Sequence, residues 1–302
     1  MGEMPSYSSI VCAMRALSQH EASVTLAHGH DPNTLGVIVY DNVQNYHIQH
    51  DQAIGRENHL NIGLAATYYE VDIDDIDISL FDLERKRQMT ERGEQAKLSV
   101  AKLQDMIDQH HIENVCILQW IHTLVQHIPQ LQHLKPDIGI LYRTCIAKQR
   151  LPVKAAKVHP LASSSRNETI FTDLKDALID FFAQVGQTPQ DFKKCLFPVG
   201  GDGLMYEKMV QLKESLQFHN NEQESFEVLQ PMLEWWHTEW TNLSCIFESH
   251  WRPLFSHDPS TLGNSAEKIG RKKPADLKKV DYYASVELAY LVLDVRILDC
   301  WR

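Results

Sequence analysis

A mixed α/β fold is predicted, and three observations predict it. The run Leu35-Gly36-Val37-Ile38-Val39-Tyr40 is rich in β-branched residues and reads as a buried strand. A second apolar run, Cys195 to Val199, meets Gly200-Gly201-Asp202-Gly203, and helical spacing begins at once with Met205, Met209, Leu212 and Leu216. Between and after these strands lie long stretches whose apolar residues fall three and four apart, the period of an amphipathic helix. Each strand delivers an acid at its carboxyl end, Asp41 in one case and Asp202 in the other. Ligand-binding groups of α/β folds concentrate at such ends.

In chain order, residues 1–34 read as a polar approach segment with one short helix near Ile10–Leu17. The polar stretch from Asn42 to Asn61 is not expected to be a core element, and Ile62–Val71 reads as a second strand. Asp72, Asp74, Asp75 and Asp77 alternate with isoleucines, but no glycine stands at the sixth position that an EF-hand loop requires, so a solvated edge or loop is expected. From Leu80 to about Leu131 the pattern is helical, with Val115, Leu118, Ile121, Leu124, Val125 and Ile128 as its stripe. Pro136, Pro152, Pro160 and three serines at 163–165 mark 132–167 as loop or linker. The whole region of about 80–165 reads as a helical insertion between the two acid-bearing strands.

Asn167 is placed to cap a helix carrying Ile170, Leu174, Leu178, Phe181, Phe182 and Val185. A single long helix is expected over Ser225–Trp251, with Leu229, Met232, Leu233, Trp236, Trp240, Leu243, Phe247 and Trp251 facing a core. Its neighbouring face, Glu234, His237, Thr241, Ser244 and Glu248, reads as solvated. A basic stretch follows, Lys268, Arg271, Lys272, Lys273, Lys278 and Lys279, and it is the one local patch suited to phosphate. The last helix carries Val286, Tyr290, Leu293, Ile297 and Trp301 and stops without a cap, so the carboxyl end reads as truncated.

At 302 residues the chain can bury a full core, and 43% hydrophobic with 23% charged residues is ordinary for a globular protein. A net charge of −11 argues against unaided DNA binding, because affinity grows with the number of phosphates neutralised. DNA is therefore expected only through a missing module or the stretch Lys268–Lys279, with protein partners as the other expectation. No run of about 18 apolar residues suggests a membrane span, and the amino end lacks the apolar core of a secretory signal. Six scattered cysteines without a C-x-x-C pair read as reduced, mostly packing residues of an intracellular protein. His110, His111, His122, His127 and His133 have no metal-ligand spacing and read as helix-surface histidines.

The segments VIVYDNVQ (37–44), QHDQ (49–52), GGDGLMYEKM (200–209), LEWWHTEW (233–240), DPSTLGNSA (258–266) and KKVDYYA (278–284) stand in an order that resembles a numbered family of uncharacterised domains, domain of unknown function 6589. That family is expanded in basidiomycete fungi and found in transposon-like proteins, and the resemblance runs from about Leu35 onward. It implies an RNase H-like transposase core over 35–302, incomplete at its carboxyl end, and a nuclear location. Asp41 and Asp202 then match two acids of such a core and His237 an accessory position in the next helix. Two Mg²⁺ ions about 4 Å apart are the implied cofactor, since paired ions clamp the attacking and leaving oxygens of a phosphodiester. Gly203-Leu204-Met205 departs from the pattern, and no late acid among Glu239, Glu248 and Glu287 aligns as a third ligand. A degenerate copy without activity is therefore expected. A non-catalytic protein-interaction remnant is the alternative. A third is a nucleotide-phosphate site at the GGDG turn, which resembles that of NAD and diacylglycerol kinases except that Leu204 replaces their threonine.

Overall fold

A computed structural model describes residues 6–47, 59–71, 76–148, 153–251 and 258–301. The strands are β1 (Leu35–His47), β2 (His59–Val71), β3 (Val158–Pro160), β4 (Phe197–Gly201) and β5 (Leu229–Leu233). The helices are α1 (Tyr7–His30), α2 (Leu83–Glu91), α3 (Val100–Asp105), α4 (Gln109–His127), α5 (Lys135–Leu141), α6 (Phe171–Gln184), α7 (Gly203–Leu216), α8 (Trp235–His250), α9 (Leu262–Lys268) and α10 (Tyr282–Cys300). They form two compact units, one of Met1–Glu94 with Ala155–Glu234 and one of Gln95–Lys154 with Trp235–Arg302.

The first unit holds a five-stranded mixed sheet in the order β3-β2-β1-β4-β5. β1 and β2 are antiparallel from Leu35↔Val71 to His47↔His59, and β3 adds antiparallel to β2. β4 lies parallel to β1 through Ile38↔Val199 and Val39↔Gly200, and β5 lies parallel to β4. Parallel neighbours need a crossover, and α7 supplies it between β4 and β5. All five residues of β4 are buried, as an interior parallel strand requires.

One face of this sheet carries the core. Ile38, Tyr40, Leu64 and Tyr68 pack with Leu174, Leu178, Phe181 and Phe182 of α6 and Met205 and Met209 of α7. The α6 spacing of three and four is the stripe expected from sequence. Its start differs: Ile170 stands at the N-cap, and Asn167 instead accepts from the Thr169 backbone N–H one turn earlier. α1 runs the full Tyr7–His30 rather than a short stretch, and it meets the unit at its carboxyl end. A Cβ on Gly29 would stand 1.7 Å from the Val185 carbonyl oxygen, so only glycine permits that approach.

The second unit is helical. Leu243, Phe247, Trp251, Leu262, Leu288 and Val292 form one core, and Leu118, Val125 and Ile138 form another. Thr123 of α4 donates to the Asp294 carboxylate of α10 at 2.6 Å.

Several expectations are corrected. The long helix over 225–251 is a strand followed by a helix, because Pro231 cannot lie inside a helix and sits instead on β5 at the sheet edge. Trp236 is accordingly about half exposed, while Trp251 is buried. The loop placed at 132–167 contains α5 and β3; Pro136 opens α5, where its missing N–H costs nothing. The described residues of the polar stretch after Asp41, 42–47 and 59–61, are strand, since β1 and β2 continue their ladder past Asp41. The six cysteines are free, but five are exposed rather than packed. Asp72, Asp74, Asp75 and the QHDQ segment lie outside the described residues.

Candidate functional site

The two acids singled out from sequence both belong to the first unit. Asp41 is not at a strand end: β1 continues six residues further, to His47, and pairs Asp41 with Ala65. Its carboxylate is exposed and accepts from the Asn42 backbone N–H at 2.8 Å. Asp202 does follow the end of β4, as the N-cap of α7, and accepts from the Met205 backbone N–H at 2.8 Å. The β1–β4 register carried two residues past Val39↔Gly200 sets Asp41 level with Asp202. The β4–β5 register carried one residue past Gly201↔Leu233 sets Glu234 at the same level.

The GGDG glycines do not work by positive φ; none of them has it. Gly200 and Gly201 belong to β4, and a Cβ on Gly201 would come 2.6 Å from that of Met205. The glycine therefore lets α7 begin directly over the strand end, which fixes where Asp202 points its cap.

Two further residues at this level were not legible in the sequence. Glu168, on the segment entering α6, is 4% exposed; its Oε1 accepts from the Asn42 side-chain amide at 3.4 Å, and its buried Oε2 has no partner among the described residues. Tyr40 is 1% exposed, and its hydroxyl likewise has no partner among the described residues. Burial pushes the Tyr40 phenol well above its ordinary range, and the charges of Asp202 and then Glu168 push it further. Tyr40 and Asn42 share one face of β1, and Asp41 alternates to the other. Among the described residues, neither Asp41, Asp202 nor Glu168 takes part in an ion pair, and no group of three or more His, Cys, Asp or Glu side chains is placed to hold a metal ion.

A second polar cluster ties α1 to the sheet. His159 of β3 contacts Glu21 through Nδ1 and Glu70 through Nε2, both at 3.0 Å. Lys157 pairs with Glu70 at 2.8 Å, and His28 Nδ1 meets the Tyr68 hydroxyl at 2.7 Å. Burial works against the charged Glu70, yet hydrogen bonds from Lys157 and His159 hold its carboxyl below the usual range. Burial lowers His28.

His237 belongs to the second unit, in the first turn of α8, with its ring edge-on to Trp236 at 4.8 Å. In the same unit the basic stretch borders a cavity of about 370 Å³, lined by Arg271, Lys272 and Lys279 over Phe247 and Leu288. Arg271 pairs with Glu287 at 2.9 Å, and the Lys279 ammonium lies over the Trp240 indole, 5.8 Å from the ring centroid. The five histidines of 110–133 lie on α4 and the turn after it, and His110, His127 and His133 are exposed.

The sheet and its flanking helices define a mixed α/β protein with a helical second unit, and among the described residues no helix is long and apolar enough to cross a membrane. The chain belongs to a family of unknown function, DUF6589, whose profile matches residues 93–302. GGDGLMYEKM, LEWWHTEW and the segments over 258–284 fall inside that span; VIVYDNVQ, with Asp41, falls outside it. No curated protein and no solved structure matches the chain.

Proposed function

We propose that the chain descends from a transposon-borne, RNase H-like nuclease domain and retains a divalent-cation site at Asp41 and Asp202 without the ancestral turnover. The observation that carries this reading is the parallel β1–β4 register, which brings the two acids level on neighbouring strands although most of the chain's first two-thirds separates them. Neither acid has a cationic partner among the described residues, which leaves both carboxylates available to a metal. Mg²⁺ and Mn²⁺ take oxygen ligands and are held by one or two carboxylates with several waters retained. A bound ion of this class would supply Lewis-acid activation of water and of a phosphodiester oxygen. Loss of turnover is supported by Gly203-Leu204-Met205, which departs from the pattern of the family after the second acid. The accessory role of His237 is an implication of the resemblance alone.

The test is Mn²⁺ titration calorimetry on the full chain and on Asp41→Ala combined with Asp202→Ser, the serine preserving a capping oxygen. Binding lost in the double variant, with no cleavage of duplex DNA by the parent chain, is the expected result. Equal binding by both chains removes the site.

A further inference from the structure

Aromatic rings that face water beside cations offer both halves of what a nucleotide presents, and the second unit carries such rings in a connected row. Trp236 is 45% exposed and Tyr283 78%, while Trp240 and Tyr282 are half-buried. The rings follow one another without a gap. Tyr283 meets Tyr282 at 5.4 Å between centroids, Tyr282 meets Trp236 at 5.8 Å, and Trp236 meets Trp240 at 5.2 Å. Two hydrogen bonds hold the row in place: the Trp240 indole N–H donates to the Val280 carbonyl at 2.6 Å, and the Tyr282 hydroxyl to Glu239 at 2.9 Å. At its Trp240 end the row reaches a cation. The Lys279 ammonium lies 5.8 Å from the Trp240 centroid, and Lys279 borders the cavity of about 370 Å³ together with Arg271 and Lys272. The acids of that rim are already engaged. Asp276 accepts from the Lys278 backbone N–H, Asp281 from that of Ala284, and Glu287 pairs with Arg271. Lys272 and Lys279 take part in no ion pair among the described residues, so a phosphate meets them without displacing a carboxylate.

We propose that this face of the second unit binds a single nucleic-acid strand, with unpaired bases on Tyr283 and Trp236 and backbone phosphates at Arg271, Lys272 and Lys279. Rings in line with cations suit a strand because every base has a π-face and every linkage a negative charge. A duplex does not match this chemistry, since its base faces are covered by their own stacking. A free anion uses the cations and leaves the rings idle, and an apolar protein surface does the reverse. The net charge of −11 limits the affinity and makes it sensitive to salt. The inference is independent of the Asp41–Asp202 reading, because every residue in it belongs to the second unit, and failure of Mn²⁺ binding leaves it untouched.

The experiment uses the full chain and a short labelled oligodeoxythymidylate at low salt, read by fluorescence anisotropy and by quenching of tryptophan fluorescence. An abasic strand and a duplex, both of the same length, and polyglutamate serve as competitors. The oligonucleotide is expected to bind and to quench tryptophan. The abasic strand is expected to bind at least about fivefold more weakly, the lower end of what one base stacked on an aromatic ring contributes. Tyr283→Ala, which truncates a mostly exposed side chain, is expected to weaken the oligonucleotide at least about fivefold and to leave the abasic strand unchanged. Lys272→Ala combined with Lys279→Ala is expected to weaken both strands. It should also flatten the salt dependence, whose log–log slope is about −2 for three phosphates of a single strand. Lys102→Ala, which removes an exposed lysine of α3 in the same unit, is expected to change neither. Equal binding of the abasic strand or of the duplex overturns the inference and reduces the face to a phosphate patch. Full binding by a folded Tyr283→Ala overturns it too. Polyglutamate bound as tightly as the oligonucleotide overturns it in favour of an acidic protein partner, and no binding of the oligonucleotide overturns it outright. The comparison of strands is made on the parent chain, so it decides the matter even where a variant does not fold.

Discussion

Asp202 has two tasks that a single substitution confounds. Its side chain caps α7 by accepting from Met205, and its charge adds to the burial that raises the Tyr40 phenol. Alanine removes both, whereas serine keeps a capping oxygen and discards the charge. Asp202→Ala is therefore expected to lower stability by about 1 kcal/mol in urea unfolding, and Asp202→Ser by a few tenths. Mn²⁺ binding should fall equally in both. If Asp202→Ser were as unstable as Asp202→Ala, the cap would not be what the aspartate contributes to α7. Glu168 presents the opposite case. Within Arg166-Asn167-Glu168-Thr169 it looks like any loop acid, and its importance comes from burial against β1, which adjacent residues do not encode.

The same contrast between local and distant causes holds for the elements. The first strand and the α6 stripe were legible because composition and period agree over many residues, as at Leu174, Leu178, Phe181 and Phe182. β5 was not, because Leu229-Gln230-Pro231-Met232-Leu233 is a short apolar run that fits the spacing of the following helix equally well. Only the parallel edge beside β4 selects the strand. The sequence offers two strand-then-acid patterns without placing the acids relative to each other, and the continuation of β1 past Asp41 depends on a partner, β2, that its own polar residues do not announce. α1 is the element whose attachment is most polar: it buries Thr25 and Gly29 alone and is tied down through Glu21–His159–Glu70 and His28–Tyr68. Glu70→Ala leaves His159 with one carboxylate and removes the Lys157 pair. It is expected to destabilise the first unit by about 1–2 kcal/mol, the scale of hydrogen bonds lost from a charged, partly buried group. Backbone amides of Tyr7–His30 should then exchange with deuterium faster than those of α6. Equal protection of α1 in the variant and the parent would show that apolar contact, not this network, holds the helix.

At the scale of the whole molecule, the acidic balance of −11 hides an ionic arrangement in the first unit that sets how stability follows pH. Arg87 bridges Glu227 and Glu222, and both carboxyls lie below their usual range, Glu227 through its Arg87 hydrogen bond first and Glu222 through a backbone hydrogen bond and then Arg87. With Glu70 they release protons more readily folded than unfolded, so their contribution is present above the ordinary carboxylate pKa and is lost as pH falls through the lowered folded values. Lys213 acts at the other end. Burial, then the neighbouring Lys86, lowers its ammonium to about 7, against an ordinary value of 10.5, while its Nζ donates to the Leu229 carbonyl. Between those two values the unfolded chain carries a proton that the folded chain has shed, so stability rises with pH across that window. Urea midpoints measured from pH 6 upward should therefore climb toward pH 10, and Lys213→Met, which has no proton to exchange, should flatten the climb while leaving the acid limb in place. A slope that persists in Lys213→Met would assign the alkaline limb to the other lowered lysines, Lys86 and Lys193, whose burial is their first cause as well. Because Lys213 reaches the carbonyl of β5 from α7, the same substitution also reports whether a neutral amine at that crossover is what keeps the edge strand on the sheet beside Asp202.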